Sequence, residues 1–163
     1  MAHAKSPALR VRPERVADKL RLASFILANH YLDASAHLRR AFGLGQEDVL
    51  ILLTVAMGNV QRMLRAPDEE GLALSTALVD QDRIVPVSRR AVARAAGLPR
   101  ETVRRRTNAM LDAGVLLPWG TGLRTARRLV LAPQVQDAVQ ALTESHAAAT
   151  RALLRHGLLE LEA

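Results

Sequence analysis

Between Pro86 and Gly114 the chain carries a dense set of local start and stop signals that restricts how it can fold. Ser88 is a good N-cap for a short helix in which Val92, Ala95 and Ala96 fall on one side. Gly97 can adopt the left-handed conformation that ends such a helix, so the turn is Gly97-Leu98. Pro99 suits the first position of a new helix, because it has no N–H to leave unpaired, and Glu101 places an anion where the helix dipole favours one. A second helix over 99–113 is predicted.

On that second helix Val103, Thr107, Met110 and Gly114 recur at spacings of four, three and four, which forms one narrow semi-apolar stripe that must face the protein. Steps of about 100° put Glu101, Arg105, Asn108 and Asp112 on the opposite side, with Arg100 and Arg104 at its edge. Guanidinium forks match phosphate oxygens and the O6/N7 edge of guanine, and an asparagine is the side chain that pairs with adenine in the major groove. An arginine-rich face is usually only a solvated face. Here the capped short helix, the glycine turn, the proline-started helix and the small Ala93 at the helix approach all agree with a helix-turn-helix.

The segment resembles the winged helix-turn-helix of bacterial transcriptional regulators in Ala93, Gly97-Leu98, Thr102-Val103, Arg105, Met110 and Gly114. Val115 to Trp119 reads as a strand, Gly120-Thr121-Gly122 as a turn and Arg127 to Leu131 as a returning strand, the hairpin that a wing needs. Arg124, Arg127 and Arg128 then fall at or near its tip, and the resemblance implies a wing over 115–131 lying on the DNA backbone or in the minor groove.

Charge follows the same division. The formal net charge is +7, yet residues 83–128 alone carry 11 basic and 2 acidic groups, so more than the whole excess lies on this unit. Aromatics make up only 2% of the chain, which argues against a single-strand module that stacks bases. With 49% apolar residues drawn from Leu, Val and Ala, the core should be helical. The absence of cysteine excludes disulfides, thiolate zinc sites and cysteine nucleophiles.

In the rest of the chain, residues 1–12 read as a flexible basic arm with Lys5, Arg10 and Arg12. A long helix is predicted from Pro13 to Phe42, apolar on more than one side, and a second from Gln46 to Arg65. Residues 66–83 read as a loop, and Ile84 to Val87 as a short strand. Pro133 opens a last helix that extends to about His156 within a segment 133–160. The order of elements resembles the MarR type of regulator, whose terminal helices form the dimer interface; a GntR-like arrangement fits less well, since it places the winged helix near the N-terminus.

The expectation is a mostly α protein, a winged helix-turn-helix (84–131) with a small β-hairpin wing, flanked by long N- and C-terminal helices, folded as a single domain over 13–163 with 13–65 as the dimerising part. The function expected is sequence-specific binding of double-stranded DNA by a homodimeric cytoplasmic, nucleoid-associated transcriptional regulator. Arg100, Thr102, Arg104, Arg105 and Asn108 would read the major groove, and Ser88, Arg89, Arg90, Arg124, Arg127 and Arg128 would hold phosphates. The alternatives are a winged-helix protein-interaction module and a non-specific architectural DNA binder. A small-molecule effector could lie beside Trp119 or in a cleft near the reading unit. No signal for a membrane span, a cofactor or an enzyme is found: His30 and His37 are two helical turns apart, too far for one ion, His146 and His156 lie elsewhere, and no catalytic triad or phosphate loop is present.

Overall fold

The computed structural model describes residues 8–65 and 81–162; the rest of the expected basic arm (1–7) and of the expected loop (66–80) lies outside them. In chain order the elements are β1 (Ala8–Val11), α1 (Pro13–Asp18), α2 (Leu20–Phe42), α3 (Gln46–Asn59), α4 (Gln61–Arg65), a 3-10 turn (Gln81–Arg83), α5 (Arg89–Ala96), α6 (Arg100–Asp112), β2 (Leu116–Trp119), β3 (Gly122–Thr125), a second 3-10 turn (Leu129–Leu131), α7 (Pro133–Arg155) and β4 (Leu159–Glu162). The protein is mostly helical with two small antiparallel sheets. Where one domain is expected from the sequence, the chain divides into two compact units, Met1–Leu38 with Asp137–Ala163, and Arg39–Gln136.

In the first unit the expected flexible arm is corrected. Ala8–Val11 pairs with Leu159–Glu162, Arg10 opposite Glu160 and Leu9 opposite Leu161, and the Arg12 N–H donates to the Leu158 carbonyl at 3.0 Å. Arg10 lies 3.5 Å from Glu162 and Arg12 lies 3.6 Å from Glu160. Opposite charges on facing strands hold the pairing that local sequence could not reveal. The expected 133–160 helical segment is therefore shorter: α7 stops at Arg155, Gly157 turns at φ +69°, and the chain continues as β4. The expected continuous helix from Pro13 breaks at Lys19, whose side chain donates to the carbonyl of His156 at 2.9 Å.

The second unit closes its own core. Ile51, Leu52 and Val55 of α3, Val92 and Ala93 of α5, Val103 and Met110 of α6, and Leu116 and Leu123 of the hairpin form one buried cluster. On α5 it is Ala93, not Ala95, that turns inward with Val92; Ala95 is exposed. The helix expected to run to Arg65 breaks at Val60, because the Asn59 carbonyl accepts the Val85 N–H at 3.0 Å instead of continuing the helical ladder. The buried Asn59 side chain donates to the carbonyls of Val85 (2.8 Å) and Leu123 (3.1 Å) and accepts from the Thr125 N–H (3.0 Å), so it stitches α3 to the hairpin.

The predicted strand at 84–87 is reduced to a single bridge, Val87 with Leu123. That bridge is so close that a Cβ on Gly122 would stand 2.8 Å from the Val87 carbonyl carbon and oxygen. Gly122→Ala must therefore displace backbone, and overpacking of this kind costs ~1–3 kcal/mol. Urea denaturation should show a lowered midpoint at unchanged slope; a midpoint equal to that of the parent would mean that the strap at Val87 is free to move.

Candidate nucleic-acid interface

The two helices of the basic unit take their ends from local chemistry. The Ser88 hydroxyl accepts the Ala91 N–H at 3.2 Å and starts α5. Gly97, at φ +65°, ends it, and the next N–H, that of Leu98, returns to the Ala93 carbonyl at 3.1 Å. Pro99 then caps α6 in an extended conformation. Val103, Thr107 and Met110 are all buried, which turns the opposite face of α6 outward with Glu101, Arg104, Arg105, Asn108 and Asp112 exposed.

The three consecutive arginines on α6 have three different surroundings. Arg104 donates to both carboxylate oxygens of Glu101, at 2.8 and 2.6 Å, and these hydrogen bonds hold the Glu101 carboxyl below its ordinary range. Arg106 points the other way, donating from Nη1 to Asp48 at 3.0 and 3.1 Å and pairing through Nη2 with Glu47, so it fastens α6 to the start of α3. Its hydrogen bonds to Asp48 raise its already high pKa, against the pull of desolvation. Arg105 between them is exposed and has no carboxylate partner among the described residues.

Arg89 lies across the two helices. Its Nε donates to Thr107 Oγ1 and its Nη2 to Asn108 Oδ1, both at 2.9 Å. Asn108 would need both its carbonyl and its amide nitrogen for bidentate pairing with adenine, and Arg89 already occupies one lone pair of that carbonyl. Asn108 thus presents chiefly its amide nitrogen, and Arg89 acts as a strut between α5 and α6. Thr102 is half-buried beside them.

Ser88, Arg90, Arg94 and Arg100 line a shallow cavity of about 450 Å3 with Ala91, Ala93 and Leu98. None of its three arginines has an acidic partner among the described residues. Arg94 was missed in the sequence, although its spacing of four from Arg90 already puts both on one side of α5.

The wing arginines are placed differently from expectation. The hairpin is short: β2 pairs with β3 from Leu116 opposite Thr125 to Trp119 opposite Gly122, so its tip is Gly120-Thr121. Gly120 takes φ +53° at the first loop position, as a primed hairpin turn requires. The predicted returning strand at 127–131 is a turn instead. Past the base of the hairpin Arg128 reverses the chain at φ +62°, and Leu129 folds back onto the core. Arg127 and Arg128 are therefore exposed at the base of the hairpin rather than its tip. Arg124 is on β3, its guanidinium 4.4 Å from the centroid of the Trp119 ring, with Nε and Nη1 buried. It covers one face of the indole beside which the sequence places a possible effector. Among the described residues, no single helix is long and apolar enough to cross a membrane, and no cluster of three or more His, Asp or Glu is arranged to hold a metal. No family model matches the sequence, and no curated protein and no solved structure matches the chain.

Proposed function

We propose that α5, the Gly97 turn, α6 and the hairpin work as a winged helix-turn-helix of a MarR-like, homodimeric regulator that binds double-stranded DNA, with α6 in the major groove. The observation that carries this reading is the distribution of arginine partners: among the described residues Arg90, Arg94, Arg100 and Arg105 form no ion pair with a carboxylate, while Arg104 and Arg106 are neutralised locally. Unpaired guanidinium groups around a shallow cavity and along a helix suit a polyanion with regularly spaced phosphates. Dimerisation is supported by the apolar residues of α2, where Leu20, Phe25, Leu27 and Leu32 are each more than half exposed.

Salt dependence tests this reading against a protein partner. If four guanidinium groups per chain neutralise phosphates, log K should fall with log salt at a slope of about −3.6 per chain and twice that for a dimer. Measured by fluorescence anisotropy on a short duplex, a slope near −1 or no binding would instead favour the protein-interaction reading. Selection of bound duplexes from genomic fragments then separates a specific regulator, which enriches a pseudo-palindromic motif, from a non-specific architectural binder, which enriches none.

A further inference from the structure

Arg89 and Asn108 are 19 residues apart and on different helices, yet they form one polar group at the surface. From the start of α5, Arg89 reaches across to α6, where its Nε donates to Thr107 Oγ1 and its Nη2 to Asn108 Oδ1, both at 2.9 Å. Thr107 is fully buried and its hydroxyl donates in turn to the Arg104 carbonyl at 3.1 Å, so the anchor that holds Arg89 is itself fixed. A guanidinium carries only donors. The side-chain oxygen of Asn108 must therefore be the atom that faces Arg89, and the amide nitrogen, with both its N–H groups, is turned the other way. Asn108 is exposed on the same outward face of α6 as Arg105. What it offers outward is a pair of donors.

We propose that Arg89 is a positioning residue that sets the base preference of Asn108, so that Asn108 selects guanine rather than adenine, an inference that rests on the placing of α6 in the major groove. An unrestrained asparagine pairs with adenine through both halves of its amide, accepting from N6–H2 and donating to N7. With Oδ1 engaged by Arg89, the accepting half is turned toward α5. Adenine then keeps one hydrogen bond and leaves its N6–H2 without a partner in the interface, which carries a desolvation penalty of its own. Guanine shows two neighbouring acceptors, O6 and N7, and the amide nitrogen has an N–H for each. Thymine shows the single acceptor O4, and cytosine shows a donor, N4–H2, against the amide donors. Guanine alone uses everything that Asn108 presents.

The test selects bound molecules from randomised duplexes with the full chain and sequences them. The position read by Asn108 is the one whose preference collapses in the Asn108→Ala protein. There the parent should favour guanine over adenine by about tenfold or more, as a well-made two-bond base contact does. Arg89→Met keeps an unbranched aliphatic stem but has no donor, so the released amide should move the preference at that position to adenine. Loss of a phosphate contact or of rigidity would lower affinity for all sequences alike and leave the order of bases as it is. The change of base therefore separates positioning from a merely structural role. A further measurement needs no variant at Arg89: 7-deazaguanine at that position lacks the N7 acceptor and should weaken binding by the parent about fivefold. A base other than guanine at that position in the parent, an unchanged base order in the Arg89→Met protein, unaltered preferences in the Asn108→Ala protein, or equal affinity for the 7-deazaguanine duplex would each overturn the proposal while leaving DNA binding intact. A parent that retains no duplex would remove the DNA reading and the proposal together.

Discussion

Replacing Arg105 with alanine is expected to weaken binding to a selected duplex by ~1–3 kcal/mol while relaxing the preference at one base pair. Arg105 lies in the exposed middle of α6 and forms no ion pair among the described residues, so its guanidinium is available to meet a base edge. Thermal stability should change by no more than about 0.5 kcal/mol, as for a surface substitution that breaks no internal contact. Arg127→Ala provides the contrast. As a proposed phosphate ligand at the base of the hairpin, its loss should weaken all sequences alike and reduce the salt slope by about one. Paired titrations on specific and scrambled duplexes would distinguish the two. Equal losses on both duplexes for Arg105→Ala would remove it from base reading, and an unchanged affinity would remove α6 from the interface.

Asn59→Leu should be the most damaging single change in the second unit. It removes two donors and one acceptor that satisfy the Val85 and Leu123 carbonyls and the Thr125 N–H, and it leaves the Val85 carbonyl and the Thr125 N–H without that partner, while the Leu123 carbonyl keeps the Val87 N–H at 3.1 Å. Each orphaned group costs ~1–3 kcal/mol, so with two of them a total of about 2 kcal/mol or more is expected. The single tryptophan, Trp119, lies on the hairpin that Asn59 holds, and its fluorescence during urea unfolding reports the relevant transition. The affected strap is the one on which Gly122 closes, so Asn59→Leu and Gly122→Ala should be non-additive. A loss below about 1 kcal/mol for Asn59→Leu would show that water or a shifted backbone replaces its hydrogen bonds.

Much of the basic unit was legible because its signals act over a few residues. Ser88 caps a helix through its own hydroxyl, Gly97 and Pro99 end and start helices through their own backbones, and the Val103, Thr107, Met110 spacing selects the buried face of α6 regardless of what covers it. The segment after α6 was legible only as a hairpin. Alternating and apolar residues at 127–131 fit a strand, but the ladder ends at Thr125 because Leu129 gains more by packing on the core than by extending an edge strand. Whether the unit reads DNA rests on the salt and selection experiments.

The sequence alone determined where the two helices of the basic unit start and end and which side of α6 is polar, because capping, left-handed glycines and helical periodicity are local properties. Tertiary structure alone decided which polar groups remain available. Arg104, Arg105 and Arg106 are chemically identical in sequence, and only the positions of Glu101, Glu47 and Asp48 separate them. The pairing of β1 with β4, the Arg124–Trp119 contact, the stitching by Asn59 and the meeting of His30 with His146 likewise depend on residues far apart in the chain. Such contacts arise only when packing of the apolar faces brings distant segments to within a few ångströms, and no local propensity encodes that distance.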